Sequence, residues 1–131
     1  MGAYSAIKLT ERFEVENLIL LVPAVYTSRV YDVPFGPRFS TIIREVESWA
    51  NSDAFKTMAK FAGSITIIAA EFDHVIPIKL IDQLNASARS AKKRTLHTVP
   101  NSRHLSLFPL ENDFLAAMDL LLEALKDRRG I

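Results

Sequence analysis

The sequence predicts a single α/β domain built on a parallel sheet of about three strands. Two continuous apolar runs, at residues 17–22 and 64–70, are typical of strands that are buried on both faces, as in parallel sheets. A third run, at residues 94–99, alternates as a strand near a sheet edge does. Segments of helical length separate the runs. With 131 residues, 49% of them hydrophobic, the chain can form one core.

The first part of the chain predicts a helix, a strand and an irregular segment. Residues 3–12 suit a short amphipathic helix, and the first strand ends where Pro23 follows it. Residues 23–38 are rich in turn formers and aromatic side chains, so they are not expected to be regular for long. The aromatic residues fit either a cap over an acyl pocket or ordinary buried packing; they are Tyr26, Tyr31, Phe35 and Trp49.

Two helical patterns lead into the second strand. The first covers about residues 39–49. The second begins after Ser52, a favoured N-cap residue, and stops at Gly63, the residue type favoured just past a helix end. After the second strand, Pro77 stands where the first turn of a helix tolerates proline, and that helix is expected to continue to about residue 89.

A last helix is predicted at about residues 111–127. Its apolar residues form a broad stripe of Phe114, Leu115, Met118, Leu121, Leu122 and Leu125. No internal repeat or interdomain linker interrupts the chain, so residues 1–131 are treated as one unit.

Composition and charge exclude several classes of function. Sixteen Lys and Arg against fifteen Asp and Glu give a formal net charge of +1, which provides no overall field for nucleic acid or an anionic membrane. The absence of cysteine rules out disulfides and thiolate metal sites. No apolar run approaches the roughly 20 residues of a membrane span, and the N-terminus lacks the pattern of a signal peptide. We expect a cytoplasmic protein with neither a nucleic-acid partner nor a membrane span.

A carboxylate and an imidazole follow two of the predicted strands. Asp73 comes shortly after the second strand, and His104 comes five residues after Val99 at the end of the third. Functional groups in parallel sheets gather at the carboxyl ends of strands, so both side chains are expected in one crevice. There a carboxylate would orient the imidazole as a base. Alternatively, Asp73 is only a helix cap and His104 a surface loop residue.

These residues, in their order, resemble the serine esterase, lipase and peptidase branch of the α/β-hydrolases. Met1-Gly2-Ala3-Tyr4-Ser5 resembles the second half of a nucleophile elbow, Gly-x-Ser-Met-Gly, cut immediately after the serine. The acid and base follow in the family's order of Ser, Asp, His. The segment Ala70 to Pro77 is similar to the family's G-x-x-D-x-x-V-P, with alanine in place of glycine.

The resemblance implies the C-terminal half of a serine hydrolase that acts on an ester, thioester or amide. It implies that Asp73 is the triad acid and His104 the triad base, with a small acyl or peptide substrate and residues 23–62 as a lid-like insert. The backbone N–H of Met1 would be one oxyanion-hole donor. No Gly-x-Ser-x-Gly occurs, and Ser5 would lie one helical turn behind the elbow.

The alternative is a catalytically inactive hydrolase-like module that binds a partner or an apolar ligand. No cofactor is expected, and metal binding by His74, His97 and His104 lacks a supporting motif. In a complete hydrolase the first strand would have a neighbour on each side, so an unpaired edge is expected here. We therefore expect residues 18–22 to lie at an interface, either in a homo-oligomer or with a separately encoded N-terminal half.

Overall fold

The three predicted strands form one parallel sheet in the computed structural model, which describes residues 1–126. The strands are β1 (Asn17–Leu21), β2 (Ser64–Ala70) and β3 (Lys93–Val99), and their spatial order is β1-β2-β3. In the register, Leu20 pairs with Ile67, which pairs with Leu96. The predicted α/β class and parallel sheet are confirmed, and β3 lies at an edge of the sheet as its alternating sequence predicted.

Within residues 1–126, five α-helices and two short 3₁₀ turns connect and cover the strands. The helices are α1 (Gly2–Leu9), α2 (Pro37–Ile43), α3 (Ala54–Lys60), α4 (Ile78–Ser87) and α5 (Glu111–Lys126), and the 3₁₀ turns are Ser28–Val30 and Ser48–Asn51. Asp127, the predicted last residue of the final helix, lies outside the described residues.

Several helix boundaries differ from the sequence prediction. Helix α1 ends at Leu9 and not near residue 12, and α4 ends at Ser87 and not near residue 89. The single helix expected at 39–49 is wrong, because α2 ends at Ile43 and Glu47 takes a left-handed conformation with φ of 51° before the second 3₁₀ turn. Helix α3 starts one residue later than Ser52 predicted, with Asp53 as its N-cap residue. The Ser52 hydroxyl still accepts a hydrogen bond from the Ala54 N–H, at 3.3 Å.

The two faces of the sheet are covered unequally. Alternate strand residues such as Leu20 and Ile67 pack against α1, α3 and α4 in the main core. Its other members from these elements include Ile7, Ala54, Met58, Leu80, Ile81 and Leu84. On the opposite face a smaller cluster joins Ile68 and Val99 to Ala117 of α5. The carboxyl ends of the strands are therefore held between helices on both faces.

The apolar stripe of α5 is only partly covered. Ala117 is its one fully buried residue within the described part of the helix. Leu115 is 50% exposed and Leu122 is 53% exposed, so these leucines point away from the sheet. An exposed apolar face of this kind is a candidate surface for a partner.

The outer edge of β1 has no strand neighbour among residues 1–126, since β1 pairs with β2 alone. Leu18 and Leu20 are nevertheless buried in the chain's own core, and Leu21 is 45% exposed. Only part of the segment expected at an interface is therefore free to meet another chain.

Over residues 1–126, no helix combines the length and the apolar character needed to cross a membrane.

Candidate active site

Asp73 lies in the loop between β2 and α4, and each of its two carboxylate oxygens has a separate role. Oδ1 accepts hydrogen bonds from the backbone N–H groups of Val75 and Ile76, both at 2.8 Å. Oδ2 lies 3.0 Å from Nδ1 of His104. The Asp73 side chain is 6% exposed. The local capping role and the pairing with histidine, which the sequence left as alternatives, are therefore both present, and together they fix the carboxylate in one orientation.

His104 lies in the loop after β3, and its side chain is 27% exposed. A carboxylate can only accept, so Nδ1 carries the proton in this contact and donates it to Asp73. Within the described part of the chain, no hydrogen-bond partner engages Nε2. An imidazole held in this way presents an unprotonated nitrogen that can take a proton from a hydroxyl.

His104 lines a cleft of about 1020 Å³ at the carboxyl end of the sheet. Apolar residues contributed to the cleft by several elements include Met1, Leu21, Val22, Trp49, Val75 and Leu80. Met1 stands just before the first residue of α1 and is 57% exposed. The structure thus brings together all three site residues predicted from the sequence, namely Asp73 and His104 as a bonded pair and Met1 on the wall of the same cleft.

Val22 gives the cleft a feature that the sequence did not predict. It follows β1 with a φ of 40°, which is rare for a β-branched residue and costs on the order of 1–3 kcal/mol. Its N–H donates to the carbonyl of Ile68 at 2.8 Å, so the backbone stays attached to β2 while the chain turns toward Pro23. The turn sends the chain from the sheet into the insert and leaves Val22 on the cleft wall.

Several charges on the cleft wall are already paired within the protein. Glu45 accepts hydrogen bonds from the guanidinium of Arg29. Glu47 forms an ion pair with Lys79 of α4, which connects the insert to the helix after the Asp73 loop. The charges of Glu45 and Glu47 are thus balanced before any ligand enters the cleft.

The two other histidines and Ser5 take no part in the hydrogen bond between Asp73 and His104. His74 is exposed and lines the cleft, whereas His97 lies within β3. No group of three His, Cys, Asp or Glu side chains is placed to hold a metal ion within residues 1–126. Ser5 is exposed on α1 and is not among the residues that line the cleft.

The four aromatic residues of the insert divide between the cleft and packing. Tyr26 and Trp49 line the cleft. The Tyr31 hydroxyl donates to Asp53 at 2.6 Å, and Phe35 packs edge-to-face on the ring of Phe39 at 5.0 Å. Buried packing describes Trp49, which is 7% exposed, but not Tyr31 and Phe35, which are 41% and 71% exposed; the role as a cap over an acyl pocket stays a prediction.

A polar cluster around Asp53 ties α1 to the insert. Its carboxylate accepts hydrogen bonds from the hydroxyls of Tyr4, at 2.8 Å, and Tyr31, and lies 3.0 Å from the Lys8 ammonium. Burial opposes the charge on Asp53, but the hydrogen bonds from Tyr31, Lys8 and Tyr4 outweigh it and lower the pKa of this carboxyl. Burial, followed by its contacts with Tyr31 and Asp53, raises the pKa of Tyr4.

Two residues that support the site were not predicted as functional. Ser102 is fully buried between the ends of β2 and β3, and Glu71 accepts a hydrogen bond from the backbone of the histidine loop. The only sequence signal for Ser102 was its place as a small polar residue between the end of the third strand and His104, the candidate catalytic histidine.

In comparison with known proteins, the chain matches no family model and no curated protein. The functional proposal therefore rests on Asp73, His104 and the cleft that they face.

Proposed function

We propose that this chain supplies the acid and the base of a serine hydrolase that acts on an ester, thioester or amide bond. The observation that carries the proposal is the 3.0 Å contact between Nδ1 of His104 and Oδ2 of Asp73, with the imidazole on the wall of a mainly apolar cleft. In such a site Asp73 holds the ring and stabilises the imidazolium that forms.

His104 would act through Nε2. This nitrogen takes the proton from a serine hydroxyl as that oxygen attacks the substrate carbonyl, and returns it to the leaving group when the tetrahedral intermediate collapses. The nucleophile belongs to a serine outside residues 1–131, on a longer form of the chain or on a separate N-terminal half. Met1 lies on the wall of the same cleft as His104, and this proximity supports the arrangement.

Substrate recognition would use the apolar wall of the cleft. An acyl or peptide side chain against Leu21, Val25 and Trp49 would bury apolar surface, at roughly 25 cal/mol per Å². Glu47 and Lys79 balance each other's charge on the cleft wall, whereas Arg44 on the same wall has no ion-pair partner among residues 1–126.

The second candidate is an inactive module that associates with itself or with another chain. The unpaired edge of β1 and the exposed leucines of α5 favour it, because unpaired strand edges and exposed apolar surface promote association. The same surface would serve as the docking site for an N-terminal half in the active assembly. Activity therefore separates the two candidates, whereas association alone does not.

Turnover of short p-nitrophenyl esters tests the proposal. Purified residues 1–131 should show no burst and no turnover above a His104→Ala control, because without a nucleophile there is no hydroxyl for the oriented histidine to activate and no acyl-enzyme forms. The native protein, purified with an antibody against residues 1–131, should hydrolyse these esters and lose activity when its gene carries His104→Ala. Native protein that is inactive on ester, thioester and amide substrates would favour the inactive module, and turnover by residues 1–131 that Ser5→Ala abolishes would refute a nucleophile outside the chain.

A further inference from the structure

The loops that carry Asp73 and His104 are joined to each other before the two side chains meet. Ser102 is fully buried, and its hydroxyl donates to the Val99 carbonyl at 2.6 Å and accepts from the Glu71 N–H at 3.2 Å. In the backbone, the Phe72 N–H donates to the Ser102 carbonyl at 2.9 Å. A buried hydroxyl and a main-chain hydrogen bond thus link the two loops. The link lies at Glu71 and Ser102, which stand two residues before Asp73 and His104 respectively.

Glu71 adds a second link on the exposed side. Its Oε2 accepts a hydrogen bond from the Asn101 N–H at 2.7 Å. Asn101 has a φ of 53°, a left-handed conformation that asparagine tolerates better than most residues. The Glu71 carboxylate therefore holds the one residue where the backbone turns sharply after β3.

The segment that follows is a tight turn with His104 inside it. Arg103 and Ser106 exchange backbone hydrogen bonds in both directions, at 3.2 and 3.0 Å, so His104 and Leu105 occupy its two central positions. Leu105 is 94% exposed, which means that the turn is not held by packing of its tip. The position of His104 therefore depends on the hydrogen bonds at the base of this turn.

We propose that Ser102 and Glu71 are positioning residues that keep His104 within hydrogen-bonding distance of Asp73. This inference rests on the proposed function for its catalytic meaning, but its geometry can be tested on residues 1–131 alone. Neither side chain hydrogen-bonds to the His104 ring, whose one partner among residues 1–126 is Asp73. They act through the backbone of the loop, and the effect of removing them is a longer or less populated contact between Nδ1 and Oδ2.

The test is the exchange with solvent of the His104 Nδ1 proton, followed by NMR in the full chain labelled with ¹⁵N at histidine. Asp73→Ala, which removes the acceptor of the Nδ1 proton, provides the reference for a broken pair. Glu71→Ala leaves the Asn101 N–H without its acceptor and should accelerate this exchange by about tenfold or more. Ser102→Ala removes the hydroxyl that joins the two loops, but the Glu71 N–H keeps a direct contact of 3.3 Å with the Val99 carbonyl, so this variant should accelerate the exchange by less. Glu71→Gln, which keeps an acceptor oxygen, should restore slow exchange. Ser106→Ala and Glu14→Ala are matched controls with exposed side chains, and should leave the rate unchanged.

Thermal unfolding of the same variants separates positioning from folding. Exposed Glu71 can be replaced without opening the core, so Glu71→Ala should accelerate the exchange at a nearly unchanged unfolding temperature. Unchanged exchange in Glu71→Ala and Ser102→Ala, with fast exchange in Asp73→Ala, would overturn the inference. The proposed hydrolase function would survive that result, because it fails on the activity of the native protein and not on this exchange rate.

Discussion

Asp53 connects three parts of the chain, so its replacement tests how α1 and the insert are held together. Its Oδ1 accepts from Tyr4 and Tyr31, and its Oδ2 faces Lys8. A hydrogen bond to a charged group contributes about 1.5–3 kcal/mol when protected from solvent. The Asp53 side chain is 37% exposed, which reduces each contribution through solvent screening. We therefore expect Asp53→Ala to lower the free energy of unfolding by roughly 2–3 kcal/mol in total.

Asp53→Asn separates the charge from the hydrogen bonds. The amide oxygen can still accept from both tyrosines, but the amide nitrogen would face the Lys8 ammonium. Its expected cost is about 1 kcal/mol, roughly 3–5 °C in the unfolding temperature of a chain of this size. Chemical denaturation followed by circular dichroism measures both variants, and Asp82→Ala at an exposed position of α4 is a control for loss of an aspartate.

The pH dependence provides a second check on Asp53. Because the folded-state pKa of this carboxyl is lowered, its contribution is complete above the unfolded-state pKa of about 3.9 and is lost as the pH falls through the lower folded-state value. The stability difference between the wild type and Asp53→Asn should thus shrink as the pH falls from about 5 toward 2. A difference that stays constant over this range, or an Asp53→Ala variant as stable as the wild type, would refute the role of the cluster.

Two further predictions concern the packing and the edge of the sheet. Gly63→Ala should lower the free energy of unfolding by about 1–3 kcal/mol, because the added Cβ would lie 2.5 Å from the Glu16 carbonyl oxygen and 2.7 Å from that of Val15. Gly2→Ala is the control, because a Cβ there would have nothing within 4 Å. Equal unfolding temperatures for the two variants would contradict this geometry. Light scattering at micromolar concentration should detect a dimer or larger assembly that Leu21→Lys weakens and that Leu9→Lys, at a similarly exposed site on α1, does not. A wild-type monomer would show that the β1 edge is not an interface between copies of this chain.

The strands could be predicted from the sequence because their apolar runs are continuous and sharply bounded. The run at 64–70 corresponds residue for residue to β2, and every residue of that strand is buried. Helix boundaries in the insert were less predictable. The apolar periodicity of residues 39–49 continues past Ile43, but the left-handed Glu47 and the packing of Trp49 in the main core end the helix early.

The candidate site likewise has residues that could be located from the sequence and contacts that could not. Asp73 and His104 could be located because each follows a recognisable strand, and the parallel arrangement brings strand ends together. The supporting bonds of Ser102 and Glu71 depend on the mutual alignment of two loops 30 residues apart in sequence, which local patterns do not encode. The positive φ of Val22 was equally hidden, since valine before proline ordinarily predicts extended backbone.

Labelling of the native protein with a fluorophosphonate probe tests the central claim most directly. The probe reacts with a serine that a histidine base has activated. Mass spectrometry of the protein isolated with an antibody against residues 1–131 should locate the label on one serine outside these residues, on the same chain or on a chain that purifies with it. His104→Ala, introduced into the gene, should reduce labelling by about 10²-fold or more. A native protein with no labelled serine, or with labelling that His104→Ala leaves unchanged, would contradict the assignment of Asp73 and His104 as the acid and base of a serine hydrolase.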